Sequence, residues 1–241
     1  MPRKSPRSIP GSTSKPISES GNRVQTAPSV PVAASWLRHV IGSDPVRRLI
    51  YIAGMAPAVW YFYLGIVDEL GTDPQKTLER LLGLWALRFL IIGLAISPLR
   101  RLGGPSLIRY RRAIGLLAFY YAALHLAVYL LIDQQLDWPT IIADIVKRPY
   151  ITIGMLTFAI LLPLAITSNN AMIRRLGAEK WNRLHRLVYV AAIAAILHFL
   201  LLVKVISLEP LIYAALIAGL LLFRLMKTRR GQSRQRQKTQ T

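Results

Sequence analysis

Long apolar runs separated by short polar segments dominate the chain after residue 48. A helix needs roughly 20 mostly apolar residues to cross a hydrocarbon core about 30 Å thick, and slightly shorter runs suffice when flanking residues reach the interface. Six runs meet this requirement, which predicts an all-α integral membrane protein built as a bundle of six transmembrane helices. The predicted spans are 49–67, 81–97, 113–132, 151–168, 185–203 and 211–226.

Two segments fit this pattern less well. The second span, 81–97, is short and carries Arg88, although the sequence stays apolar on both sides of that arginine. The segment 133–150 contains too many polar residues to cross, and we expect part of it to lie along the outer membrane interface. We count 81–97 as a span and 133–150 as a connection.

Basic residues divide unequally between the two sides of the predicted bundle. The chain has 31 Lys and Arg residues and a formal net charge of +20. Counting the gaps alternately places 25 of the 31 on one side: eight in the N-terminal segment, five around 98–112, five around 169–186 and seven near the C-terminus. An excess of Lys and Arg marks the cytoplasmic side. Both termini are therefore predicted to be cytoplasmic, and the positive charge indicates topology rather than nucleic-acid binding.

The two ends of the chain differ in composition from the apolar region between them. Residues 1–44 are rich in Ser, Pro and basic residues and lack the apolar stretch of a signal peptide. This composition predicts a disordered, basic cytoplasmic tail. The transmembrane domain is assigned to 45–226, and 227–241 is a second basic cytoplasmic tail.

Histidine is the main candidate metal ligand, because the chain has no cysteine for thiolate zinc sites or iron–sulfur clusters. His125 lies about twelve residues into the third span, roughly 18 Å from its cytoplasmic start at 1.5 Å per residue. His198 reaches a similar depth in the fifth span, whereas His185 lies at the inner mouth of that span. Ionisable residues inside a membrane usually face the bundle interior. Two neutral imidazoles at one level could bind both axial positions of a b haem in the outer half of the bundle core.

Other interpretations of these residues stay open. His125 alone fits an interhelical hydrogen bond as well as a metal site, and His185 fits a side chain that reaches to the interface. On an ideal helix His185 and His198 point about 140° apart, so both face one interior only if the helix bends. Arg111 lies fourteen residues before His125 and within about 40° of its direction, where a guanidinium could bind a haem propionate or a flavin phosphate.

Three segments together resemble a known family of membrane proteins. They are "YRRAIGLLAFYYAALHLAVYL", "KRPYITIGMLTFAILLPLAITS" and "WNRLHRLVYVAAIAAILHF". In order and spacing they are similar to the MsrQ family of haem-binding membrane subunits, within the wider ferric-reductase-like transmembrane superfamily. The resemblance covers roughly 45–226. It implies that His125, His185 and His198 are haem-associated ligands, while Arg111 stands where the superfamily has another histidine, which leaves a second haem open.

The resemblance also implies an electron-transfer role in the bacterial inner membrane. Members of the family pass electrons from the quinone pool or a cytosolic flavin reductase to MsrP, a periplasmic molybdenum enzyme that reduces methionine sulfoxide in oxidised proteins. On that basis the chain is expected to be a non-catalytic redox subunit that uses haem b and FMN. NAD(P)H is not expected to bind, because the chain contains no G-x-G-x-x-G loop.

Three alternatives to this function remain. The chain could be another ferric-reductase-like cytochrome b. It could be a small transporter in which His125, His198 and Arg88 line a proton or substrate path. It could also be a structural assembly factor in which the histidines only join helices.

Overall fold

A computed structural model describes residues 44–203 and 207–238, and within these ranges the protein is built from α-helices with short turns. The predicted all-α class is confirmed for this part of the chain. The helices are α1 (Asp44–Ile66), α2 (Pro74–Arg101), α3 (Arg111–Ala127), α4 (Trp138–Lys147), α5 (Pro149–Ile166), α6 (Asn170–Leu176), α7 (Ala178–His185), α8 (Val188–Leu202) and α9 (Leu208–Lys238). A 3₁₀ turn precedes α3 and a π-helical turn, Val128–Asp133, follows it. The predicted N-terminal tail lies outside the described residues, apart from residue 44.

Five helical segments in the described part of the chain are long and apolar enough to cross a membrane. They are Pro45–Ile66, Pro74–Arg101, Ile108–Asp133, Pro149–Ile166 and Ala178–Leu202. These segments correspond to the first five predicted spans. The sixth predicted span, 211–226, lies within α9 and is not among the five, so it stays a prediction.

The helices extend beyond the apolar runs that predicted them. Helix α2 begins at Pro74 rather than at 81, because the Asp73 side chain caps its first turn by accepting a hydrogen bond from the Lys76 N–H at 3.2 Å. Proline suits the first helical position, where its missing N–H leaves no bond unmade. The connection 133–150 contains α4, whose residues Trp138, Ile142 and Val146 are exposed. Its location at the membrane interface stays a prediction.

Helix α2 forms the centre of the bundle, although its arginine made it the weakest predicted span. Half of its apolar stretch is buried, against 11% for α1. It contacts α1, α3, α8 and α9. Arg88 is accommodated inside because its Nε donates to the Tyr213 hydroxyl of α9 at 2.8 Å and its guanidinium lies 5.1 Å from the centroid of the Trp85 ring. The arginine therefore joins α2 to α9.

Two antiparallel helix pairs make the most extensive contacts, α2 with α3 and α5 with α8. Helices α3 and α5 connect the two pairs, and the rings of Phe119 and Phe158 stack between them with centroids 5.6 Å apart. The fifth span is interrupted where α7 ends at His185 and α8 begins at Val188. On an ideal helix His185 and His198 point about 140° apart, so both can face the interior only if the helix is interrupted in this way.

The hydroxyl of Tyr121 is inserted into helix α1. It accepts a hydrogen bond from the Ala58 N–H at 3.0 Å and donates one to the Gly54 carbonyl at 2.8 Å. These are the two groups that an uninterrupted helix joins directly, and a side chain inserted between them is a recognised cause of helix bending. Tyr121 is fully buried, so its hydroxyl joins α1 to α3 through hydrogen bonds that are shielded from solvent.

We expect Tyr121→Phe to destabilise the bundle, because both backbone groups lose a buried partner at a cost of about 1–3 kcal/mol. The measurement is the thermal unfolding midpoint of the purified protein in detergent. Tyr120→Phe is the matched control, because Tyr120 is the adjacent residue and is exposed. Equal midpoints for the two variants would show that the inserted hydroxyl does not stabilise the fold.

Candidate functional site

The imidazoles of His125 and His198 lie side by side in the bundle. Their ring centroids are 6.1 Å apart and their planes are inclined at 78°. His125 lies near the end of α3, just before the π-helical turn, and His198 lies near the end of α8. The two histidines that the sequence places at a common depth on different spans are therefore neighbours.

Backbone carbonyls determine which nitrogen of each imidazole is available. Nδ1 of His125 is 2.8 Å from the Glu79 carbonyl oxygen on α2, and Nδ1 of His198 is 2.6 Å from the Tyr150 carbonyl oxygen on α5. A carbonyl oxygen can only accept a hydrogen bond, so Nδ1 carries the proton of the neutral ring. Nε2 then keeps its lone pair in both rings, as in histidines that bind metals through Nε2.

The spacing of the rings fits one metal ion held between them. Two metal–nitrogen bonds of about 2.0 Å each, together with the distances from each nitrogen to its ring centre, span roughly 6 Å. In the described part of the chain no cluster of three or more His, Asp or Glu side chains forms a metal site. Two imidazoles alone do not complete a tetrahedral zinc site, whereas two imidazoles are a ligand set that a haem iron can accept.

A cavity of about 390 Å³ adjoins the two imidazoles, between α2, α3, α5 and α8. This volume lies within the roughly 300–1,000 Å³ of small-molecule and cofactor pockets. Most of its wall is apolar, and the larger apolar side chains are Leu84, Leu87, Leu90, Met155, Phe158, Leu161 and Phe199. Such a wall suits a flat, largely apolar group that reaches the histidines from the cavity.

Charged residues line the end of the cavity near the start of α2. The cations are Lys76, Arg80 and Arg148, and Glu79 and Asp133 lie among them. Each cation forms an ion pair with an acidic neighbour at nitrogen–oxygen distances of 2.6–3.1 Å. The Glu79 carboxylate is 4.0 Å from His125 Nε2, beyond hydrogen-bond distance. The cavity therefore has an apolar body and a polar end.

His185 and Arg111 form a separate group at the other end of the bundle, and neither is among the described residues that line this cavity. Nε2 of His185 is 3.1 Å from Thr167 Oγ1, and the Trp181 ring stacks on the imidazole with centroids 3.8 Å apart. Arg111 begins α3 at the same end, where the next residue, Arg112, donates a hydrogen bond to Asn170 Oδ1 at 2.7 Å. The structure thus keeps His185 and Arg111 apart from the His125–His198 pair, and the roles of His185 as a haem ligand and of Arg111 in cofactor binding stay predictions.

The sequence does not reveal the two backbone acceptors. Every residue has a carbonyl group, so no residue type marks Glu79 or Tyr150 as a hydrogen-bond partner of a histidine. The sequence shows the cations of the polar end as basic residues. In the sequence, however, Arg80 and Arg148 serve only in the count of charges that predicts topology. Their position at a cavity depends on how α2 and α5 are arranged in space.

Comparisons with known proteins agree with this architecture. The family described as "Ferric reductase like transmembrane component" matches residues 82–196, a range that contains His125 and His185 and ends two residues before His198. The chain is also 58% identical over 179 residues to the protein-methionine-sulfoxide reductase heme-binding subunit MsrQ of Brucella ovis. The same figures hold for the proteins of that name from Brucella canis and Brucella suis, and the aligned part covers 74% of this chain and 81% of each relative.

The chain belongs to the MsrQ family. The resemblance found in the three sequence segments is thereby confirmed. Membership of the MsrQ family, together with the five apolar helical segments, makes the chain a multi-pass membrane protein.

Proposed function

We propose that the chain is a haem b electron-transfer subunit that passes electrons to periplasmic MsrP, for the repair of oxidised periplasmic proteins. The observation that carries the proposal is the pairing of His125 and His198, whose centroids are 6.1 Å apart and whose Nδ1 atoms are both held by carbonyls. The relatives are named as heme-binding subunits of protein-methionine-sulfoxide reductase, which supports the same cofactor here. Haem iron supplies one-electron redox chemistry when it is bound.

The histidine pair favours electron transfer over catalysis. His125 and His198 would both hold the haem iron, which would leave no position there for a substrate. The chain has no cysteine and so offers neither a catalytic thiol nor a thiolate ligand for molybdenum. Reduction of methionine sulfoxide is therefore assigned to the partner.

The polar end of the cavity suits the carboxylates of a porphyrin. Arg80 and Arg148 carry planar guanidinium groups that bind carboxylates in a bidentate manner, and Lys76 adds a third positive charge. Their present partners are Glu209, Asp144 and Asp73. A propionate would share or replace these acidic partners while the porphyrin ring packs against the apolar wall.

The proposed direction of electron flow follows from the charge distribution. With both termini cytoplasmic in the bacterial inner membrane, Lys76, Arg80 and Arg148 lie on the periplasmic side, and the haem site is in the outer half of the bundle. A periplasmic partner can then approach the polar end of the cavity. In this arrangement 45–226 is the transmembrane domain, and the cytoplasmic segments are 1–44 and 227–241, the latter beginning as a continuation of α9.

The inner end of the bundle is the proposed entry point for electrons. His185 and Arg111 lie there, and a guanidinium suits a flavin phosphate or a haem propionate. FMN is the cofactor that the family resemblance favours at this end, and a second haem remains open. The donor would be the quinone pool or a cytosolic flavin reductase.

We expect His125→Ala and His198→Ala each to remove most of the outer haem, because iron keeps one protein ligand in a loosened pocket. The double variant should lose little more than either single variant, since both changes disable one site. The measurement is haem per purified protein together with the reduced-minus-oxidised spectrum. Leu197→Ala is the control, because Leu197 is adjacent to His198 but exposed. A full low-spin spectrum in either histidine variant would show that its histidine is not an axial ligand.

The same preparations test the transfer of electrons to the partner. Reduced wild-type protein, mixed without oxygen with MsrP and methionine sulfoxide, should return to the oxidised spectrum. Both histidine variants should leave MsrP folded but unreduced. Reduced haem that persists beside an MsrP shown to be active with an artificial donor would contradict the proposed function.

We expect His185→Ala to lower the haem or flavin content, or the rate of reduction from the inner side, without preventing membrane insertion. The reason is that insertion depends on the apolar runs, whereas the proposed role of His185, whose ring stacks on Trp181, is to contact a cofactor. Arg183→Ala is the control, because Arg183 is exposed and pairs with Glu179. Unchanged cofactor content and an unchanged reduction rate would show that His185 is an interfacial side chain with no part in cofactor binding.

A further inference from the structure

Two glycines lie so close to the imidazoles that a Cβ atom at either position would be nearer to the ring than ordinary van der Waals contact allows. A Cβ atom added at Gly154 would lie 2.9 Å from both Nδ1 and Cε1 of His198. A Cβ atom added at Gly83 would lie 3.1 Å from Nδ1 and 3.3 Å from Cε1 of His125. Favourable contacts between carbon atoms begin at about 3.5 Å. Each imidazole therefore occupies the space that a side chain at the glycine position would need.

The two glycines have the same relation to the carbonyls that bind the imidazoles. Gly83 follows Glu79 by four residues on α2, and Gly154 follows Tyr150 by four residues on α5. Residues four apart lie on one face of a helix, one turn from each other, and the carbonyl of the first points towards the second. A glycine at the second position opens the path by which the ring edge reaches the carbonyl oxygen. The arrangement occurs twice, once in each of the two antiparallel helix pairs.

We infer that Gly83 and Gly154 are positioning residues for haem ligation, which hold His125 and His198 against the helix backbone so that both Nε2 atoms face one metal position. The inference rests on the proposed function, because it takes these histidines as the axial ligands. Each glycine acts through its histidine: it permits the Nδ1–H bond to the carbonyl, and that bond orients the ring and raises the basicity of Nε2.

Other glycines in the bundle lack this relation and supply controls. A Cβ at Gly93, on α2, would meet Ile114 at 3.7 Å, and a Cβ at Gly115, on α3, would meet nothing within 4 Å. Alanine is the better helix former, so Gly93→Ala and Gly115→Ala should be tolerated. A Cβ at Gly54 would lie 2.5 and 2.9 Å from the methyl carbons of Leu117, which is a clash that does not involve a histidine.

The experiment compares Gly83→Ala and Gly154→Ala with these three controls in the full-length protein. The readouts are haem affinity, the midpoint potential and the ferric EPR spectrum of the haem that remains bound. We expect Gly154→Ala to weaken haem binding roughly 10- to 100-fold, as loss of a partner behind a metal ligand does, and Gly83→Ala to have a smaller effect because its contacts are longer. Both should change the midpoint potential and the EPR g-values, since the Nδ1 bond is lengthened or lost.

The controls separate positioning from general packing. Gly93→Ala and Gly115→Ala should keep wild-type values throughout. Gly54→Ala should lower thermal stability while its bound haem keeps the wild-type potential and g-values. Wild-type affinity, potential and g-values in Gly83→Ala and Gly154→Ala would overturn the inference. Loss of haem from the two variants, with wild-type potential and g-values in the haem that stays bound, would also overturn it.

Failure of this inference can be distinguished from failure of the proposed function. If His125→Ala or His198→Ala keeps its low-spin haem, the axial assignment itself is wrong. If both histidine variants lose haem while the two glycine variants match wild type, the assignment stands and the positioning role is wrong.

Discussion

An imidazole inside an apolar bundle needs a partner for its N–H group, because an unsatisfied polar group away from water costs about 1–3 kcal/mol. Backbone carbonyls of neighbouring helices provide that partner for His125 and His198. Each hydrogen bond fixes the tautomer, the direction of the ring and the nitrogen that remains free. The pairing of α2 with α3 and of α5 with α8 brings each histidine to its carbonyl, and the contact between α3 and α5 brings the two imidazoles together.

This requirement also explains why α2 occupies the centre of the bundle. The helix presents the Glu79 carbonyl to His125, buries an apolar stretch against its neighbours, and binds Tyr213 of α9 through Arg88. These contacts hold the helix whose Glu79 carbonyl oxygen lies 2.8 Å from Nδ1 of His125. The position of the site therefore depends on packing along the whole of α2.

Much of this arrangement can be predicted from the sequence, because spans and depths follow from one-dimensional patterns. The apolar runs predict the five membrane-crossing segments, and counting residues along two of them places His125 and His198 at one level. The ends of the helices are less predictable, since caps such as Asp73 extend α2 through polar residues. The central place of α2 is not predictable from its own sequence, because the partner of Arg88 lies 125 residues away. The carbonyl groups that accept hydrogen bonds from the two histidines cannot be identified from the sequence, because every residue has a carbonyl group.

The ferric EPR spectrum of the purified wild-type protein tests the central claim most directly. If His125 and His198 both hold the haem iron, the spectrum would be low-spin, and ring planes that keep their inclination of 78° would give a wide spread of g-values. We expect a strongly anisotropic low-spin signal. A high-spin signal alone, or a protein purified under haem-replete conditions with no haem, would contradict the claim that His125 and His198 bind one haem iron between them.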